Sequence, residues 1–215
     1  MRELQKRVIT SISLIIILYL SFVNNLILSA ALLAIVFLLF NEFYNIIKRI
    51  LINKKNYQLI LLFLILLYLI YFSLDIWFLL HTDSYNNKNL LFFTIIICIS
   101  TDIGGYAFGK IFKGKKLTSI SPNKTYAGLI GSYLLSFVIS LIFFNEFNSK
   151  VNYLVITFII SSLSQIGDLF ISYLKRKAKL KDTGSILPGH GGILDRIDGI
   201  IFGLPFGLLI LILFF

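Results

Sequence analysis

The sequence predicts an all-α polytopic integral membrane protein with about seven transmembrane helices and a polar active site facing the cytoplasm. Three observations carry that prediction: the composition, the length of the uncharged runs, and the distribution of basic residues. Of 215 residues, 58% are hydrophobic and only 14% charged, and the mean hydropathy is +0.90. A soluble globular chain runs at about 45–50% apolar and about 25% charged. A chain of this size still exposes much of its area and could not hide such an apolar surplus in its own core. Soluble enzyme, disordered tail and disulfide scaffold are excluded. The single cysteine, Cys98, cannot form an internal disulfide and lies in an apolar run, where it reads as packing.

The spans follow in order. Val8–Val23 is short for about 30 Å of hydrocarbon at about 1.5 Å per residue. Asn24 and Asn25 then form the turn of a helical hairpin into Leu26–Tyr44. The remaining spans are Gln58–Leu80, Leu90–Gly109, Tyr126–Phe144, Tyr153–Leu174 and Ile197–Phe215. Residues 1–89 thus form an N-terminal group of about three helices. Residues 90–215 form a catalytic membrane domain with polar loops at 110–125 and 175–196. The basic start followed by an apolar run resembles a signal peptide, but no small-x-small cleavage site follows and a second apolar run begins at once, so it reads as an anchor.

Charge tests the segmentation independently. All of the 20 basic residues except Lys88 and Lys150 fall on one side of the membrane under this topology. The positive-inside rule then puts the N-terminus in the cytoplasm and the C-terminus outside, in the plasma (inner) membrane of a cell. The net charge of +10 follows these loops, so it implies attraction to anionic membrane lipids and no nucleic-acid partner.

Acids inside spans are more telling, because a carboxylate at the bilayer centre costs about 2.5–3.5 kcal/mol on insertion scales. Asp102 lies toward the cytoplasmic end of the fourth span and Asp168 inside the sixth. Ser161, Ser164, Gln165, Asp168 and Ser172 recur at helical spacing and form one polar stripe. Serines alone would merely hydrogen-bond neighbouring helices. An Asp among them, facing a basic loop, points to function.

That loop holds Lys175, Arg176, Lys181, Asp182, Gly184, His190, Gly191, Gly192, Asp195, Arg196 and Asp198. Asp195 and Asp198 are three positions apart, so at the mouth of the last helix they would share a face and repel unless a divalent cation sat beside them. Carboxylate oxygens completed by water and substrate phosphates suit Mg²⁺. Glycines let backbone N–H groups approach phosphate oxygens, and Lys and Arg can neutralise a polyphosphate. His190 is as well read as an ordinary loop hydrogen-bonding residue, and with no second His or Cys nearby zinc is disfavoured. A second loop places Ser119, Ser121, Pro122, Asn123, Lys124 and Thr125 just before the fifth span, where hydroxyls and a Lys at a helix N-terminus can hold an anion. Together these features describe lipid phosphoryl or nucleotidyl transfer.

The run Ser172-x-x-Lys175-Arg176-x4-Lys181-Asp182-x-Gly184-x2-Leu187-Pro188-x-His190-Gly191-Gly192-Ile193-x-Asp195-Arg196-Ile197-Asp198 resembles the signature of the phosphatidate cytidylyltransferases (CDP-diacylglycerol synthases). Asp102-x-Gly104-x-Tyr106-x-x-Gly109, Ser121-Pro122-x-Lys124-Thr125, Gln165-x-Gly167-Asp168 and Asn41-Glu42-Phe43-Tyr44 are also similar to that family. The resemblance implies transfer of CMP from CTP to phosphatidic acid, giving CDP-diacylglycerol and pyrophosphate. It implies a metal held by Asp168, Asp195 and Asp198, with Lys175, Arg176, Lys181 and Arg196 facing phosphates and Asp102 organising the pocket. Ser121 and Lys124 would serve the nucleotide or the lipid phosphate. Thr125, Asp182, His190, Gly191 and Gly192 complete the expected substrate-binding set. The expected cofactor is Mg²⁺, and the sequence leaves open a monovalent cation beside it.

Two positions depart from the family pattern: Ala127 stands where a Glu is usual and Asn123 where a Lys is usual. Neither touches the carboxylate triad, and an active enzyme is expected. The chain is also shorter at its N-terminus than most members. The nearest rival is another CTP-dependent membrane enzyme, a polyprenol kinase or a synthase acting on a different lipid phosphate. The Asp-Gly-x2-Ala-Arg pattern of the CDP-alcohol phosphotransferases is absent. A transporter would call for internal repeats, and none is seen. Gly199, Gly203 and Gly207 suit close helix packing, and a homodimer through such surfaces is an expectation for crosslinking to test.

Overall fold

The structure, a computed structural model, describes residues 12–13, 16–17, 19–21, 23–81, 85–118, 120–121, 124–142, 153–186 and 191–214. They form α1 (Asn25–Ile50), α2 (Lys55–His81), α3 (Tyr85–Phe112), α4 (Tyr126–Ile142), α5 (Tyr153–Lys177), the single turn α6 (Leu194–Ile197) and α7 (Ile200–Phe214). An isolated antiparallel bridge pairs Lys116 with Thr125. The expected span Val8–Val23 lies partly outside the described residues; those of it that are described are helical.

Helices α1, α2, the Lys88–Phe112 part of α3, and α5 are long and apolar enough to cross a membrane. Helix α4 and the Ile200–Leu211 part of α7 are apolar but shorter. Side chains such as Leu33, Phe37, Leu59, Phe63 and Phe78 are more than half exposed along these helices. Water would penalise that surface, whereas lipid accepts it while each helix satisfies its own backbone. The chain is therefore a polytopic integral membrane protein. The expected last span, Ile197–Phe215, is interrupted: a turn at Asp198 and Gly199 separates α6 from α7.

The described chain divides into two compact units. The first comprises Met1–Asp83 with Leu174–Ile197, and the second Ser84–Tyr173 with Asp198–Phe215. The signature loop thus groups with the N-terminal helices.

In the first unit, Asn24 caps α1: its side-chain oxygen accepts from the N–H groups of Leu26 at 2.9 Å and Ile27 at 3.4 Å. That satisfies two of the orphan donors every helix start exposes. Lys48 and Arg49 lie in the last turn of α1, where positive charge complements the unpaired carbonyls. Helices α1 and α2 pair as a hairpin, with Leu39, Phe43, Ile46 and Leu69 buried and the Trp77 indole N–H donating to Ser29 Oγ at 3.2 Å. Helix α5 ends in a Schellman turn. Lys179 N donates to Arg176 O and Leu180 N to Lys175 O, while Lys179 adopts φ 56°. This turn reverses the chain immediately after Lys175 and Arg176.

In the second unit, α3 and α4 meet through glycines. A Cβ on Gly128 would lie 2.7 Å from the Gly105 carbonyl oxygen, and one on Gly104 would strike that of Gly131. Side-chain bonds tie the same helices to α5. Thr157 Oγ1 donates to Ser140 Oγ at 2.7 Å, Tyr133 and Ser162 share a hydrogen bond at 2.9 Å, and Thr101 meets Ser161 at 3.0 Å. Glycines of α7 and of the turn before it pack within this unit: Gly199 and Gly203 face Ser164, and Gly207 faces Ile160.

Candidate active site

The expected residues assemble as two clusters, one in each unit. In the second unit a cavity of about 270 Å³ is lined by Asp102, Gly105 and Tyr106 of α3, Ser121, Lys124 and Thr125 of the loop, and Gln165 and Asp168 of α5. Loop geometry delivers the middle three. Leu117 N bonds Lys124 O at 2.8 Å and Tyr126 N bonds Lys115 O at 3.1 Å, so the loop closes on itself beside the bridge. Thr125 is the N-cap of α4, its hydroxyl accepting the Gly128 N–H at 3.1 Å. Lys124, fixed one position earlier, forms an ion pair with Asp168. Ser172 Oγ donates to the other Asp168 oxygen at 3.4 Å.

The polar stripe of α5 therefore does two jobs. Ser161, buried, bonds Thr101 and Gln165 and joins helices, whereas Asp168 faces the cavity. Asp198 sits at the turn before α7, its Oδ1 accepting the Gly199 N–H at 3.0 Å. Its carbonyl packs so tightly on Gly167 that a Cβ there would approach to 2.7 Å. Ser119, Pro122 and Asn123 lie outside the described residues.

The first unit holds the other cluster. Lys175 Nζ donates to Asp195 Oδ1 at 2.7 Å, with both side chains nearly buried. Asp195 Oδ2 accepts from Thr183 N at 2.8 Å and Gly192 N at 3.1 Å, and lies 3.0 Å from Thr183 Oγ1. Burial alone would raise the Asp195 pKa, but the Lys175 ammonium and the N–H groups of Thr183 and Gly192 outweigh it and hold the carboxyl below the usual range. Gly191 turns the chain with φ 83°, a conformation that favours glycine. Arg176, Lys181, Asp182 and Arg196 are exposed on the same segment. Leu187, Pro188 and His190 lie outside the described residues.

One participant was not assigned a role from sequence. Glu42 of α1 is 1% exposed and accepts hydrogen bonds from Thr183 Oγ1, Ile193 N and Leu194 N. Its signal was available: it is an acid at the end of an apolar run, the criterion that singled out Asp102 and Asp168. Asp75, within α2, meets the same criterion.

Among the described residues no three acidic, histidine or cysteine side chains converge as a ready-made metal cage. The donor set still fits a hard divalent ion. Asp102 and Asp168 line one cavity, and Mg²⁺ needs only one or two protein carboxylates when waters and phosphate oxygens complete its shell.

Acids, lysines and hydroxyls of this helical membrane protein thus gather at a cavity and at a helix-end loop. The chain belongs to the cytidylyltransferase family, whose model matches residues 3–214. It is 43% identical over 128 residues to a phosphatidate cytidylyltransferase of Bacillus subtilis, covering 58% of this chain and 48% of that one. Proteins of the same name from Staphylococcus saprophyticus and Rickettsia typhi are each 41% identical, over 139 and 134 residues. Those stretches cover 63% and 57% of this chain and 53% and 59% of the relatives. The chain thus spans about half the length of the relatives it matches.

Proposed function

We propose that this chain transfers CMP from CTP to phosphatidic acid, forming CDP-diacylglycerol and pyrophosphate. The observation that carries the reading is the cavity in which Lys124 pairs with Asp168 beside Ser121 and Asp102, on a chain of the cytidylyltransferase family. The names of its relatives supply the lipid and the nucleotide.

In this reading a phosphate oxygen of phosphatidic acid attacks the α-phosphorus of CTP. The new P–O bond forms as the bond to the β-phosphate oxygen breaks, and pyrophosphate leaves. No covalent enzyme intermediate is needed, so the protein contributes positioning and charge neutralisation. Lys124 and the Ser121 hydroxyl bind phosphate oxygens at the cavity. Lys175, Arg176, Lys181 and Arg196 bind phosphate from the signature segment. Asp102 and Asp168 present oxygens to the cavity, and Asp198 is the further carboxylate of the same unit. We propose Mg²⁺ as the cofactor held by these carboxylates; when bound it supplies Lewis-acid stabilisation of phosphate charge. Asp195, expected as a ligand, stands here as the acceptor that fixes Lys175 and Thr183.

The basic bias supports a cytoplasmic N-terminus, and we propose a plasma-membrane location, with the basic loops facing the cytoplasm. The test is a product assay on detergent-solubilised protein with labelled CTP and phosphatidic acid, with Mg²⁺ or EDTA. Metal-dependent CDP-lipid and pyrophosphate are expected. If a lipid alcohol put in place of phosphatidic acid instead yields CDP and the phosphorylated alcohol, a kinase replaces this reading.

A further inference from the structure

Glu42 is a buried carboxylate that accepts from Thr183, Ile193 and Leu194 of the signature segment. It lies on α1 in a turn where Leu39, Phe43 and Ile46 are also buried, an environment that penalises an acid unless donors surround it. The donors come from far along the sequence. Thr183 Oγ1 lies 2.6 Å from Oε2, Leu194 N lies 3.0 Å from Oε2, and Ile193 N lies 2.8 Å from Oε1.

The two amides open the turn of α6, where backbone N–H groups lack helical partners. Glu42 satisfies them from another helix, as a capping side chain would from within. The approach depends on missing side chains: a Cβ on Gly192 would lie 2.5 Å from Glu42 Oε2, and one on Gly184 3.1 Å from Oε1. Thr183 carries the contact onward. Its hydroxyl has one proton, which the shorter distance assigns to Glu42, while its N–H holds Asp195, which holds Lys175.

We propose that Glu42 is a positioning residue for the signature segment: it seats Thr183 and the start of α6, so that Asp195 and Lys175 are oriented before any phosphate arrives. The proposal rests on the nucleotidyl-transfer reading, and its test separates the two. Hydrogen exchange of the full chain in micelles reads the segment 182–196 directly and needs no turnover. Glu42→Gln keeps one acceptor oxygen and loses the charge, so exchange at Ile193 and Leu194 is expected to rise about ten- to a hundredfold. Thr183→Val is expected to do the same with Glu42 intact, and Thr183→Ser, which keeps the hydroxyl, to restore protection.

Steady-state assays with CTP and phosphatidic acid then read positioning. In Glu42→Gln, kcat should fall about tenfold or more while KM for CTP moves less than about threefold. Thr183→Ser should remain near wild type. Wild-type exchange in both Glu42→Gln and Thr183→Val would overturn the proposal even if the enzyme is active. Raised exchange with unchanged kcat and KM would reduce Glu42 to a structural anchor and overturn it equally. A wild-type chain that makes no CDP-lipid would remove the proposed reaction, and raised exchange at 193 and 194 would still support the seating of the segment by Glu42.

Discussion

The Lys175–Asp195 pair offers the most quantitative test of how the signature segment is held. Replacing Asp195 by Asn removes the charge opposite Lys175 and leaves one oxygen to serve donors that now use two. Side-chain exposures of 14% and 10% leave little water to replace the lost partner. Removing one partner of a buried pair costs about 3–5 kcal/mol, and the residual exposure puts this one at the low end of that range. The same carboxyl titrates low because of its partners. A depressed pKa contributes stability above the unfolded value of about 3.9 and loses it as pH falls through the folded value. Denaturant unfolding in mixed micelles from neutral pH to below about pH 4 should therefore show two effects. Asp195→Asn is less stable at neutral pH, and it loses less further stability on acidification than wild type. A cycle with Lys175→Met should give a coupling energy of about 2 kcal/mol or more. Coupling under about 0.5 kcal/mol, or equal acid sensitivity in the wild-type and Asp195→Asn chains, would refute the reasoning.

Other outcomes are expected from the second unit. Lys124→Gln leaves Asp168 without its ammonium at the cavity, and kcat/KM for CTP should drop about ten- to a hundredfold in steady-state assays. Gly128→Ala pushes a methyl against the Gly105 carbonyl and should cost about 1–3 kcal/mol, read as a lower unfolding midpoint in micelles. Ala127→Glu places an acid in the first turn of α4, which has none, and should stabilise the fold by about 0.3–1 kcal/mol, read as a higher unfolding midpoint, while leaving activity at least unchanged.

Much of this molecule was legible from local pattern. The apolar runs located α1 to α5 and α7, because helix burial in lipid depends on the hydropathy of consecutive residues. Asn24 and Thr125 mark helix starts by residue type, and both are caps in the structure. Asp102, Ser121, Lys124 and Asp168 were singled out as polar groups in or beside spans, and they do line one cavity. The short α6 and the turn at Asp198 were not legible, since Ile193 to Ile201 reads as a continuous approach to an apolar run. Spacing alone placed Asp195 and Asp198 on one helical face, whereas the break gives each different hydrogen-bond partners.

The sequence by itself determined that the chain is a helical membrane protein, where its charge lies, and which segments gather its acids, lysines and glycines. These are properties of neighbouring residues, written in hydropathy, charge and spacing. Only the tertiary structure decided what each polar group faces. Whether Lys124 meets Asp168, Ser161 joins two helices, or Glu42 reaches Thr183 depends on how the chain folds back on itself. Burial makes those pairings obligatory, because a polar group removed from water must find its partner within the fold.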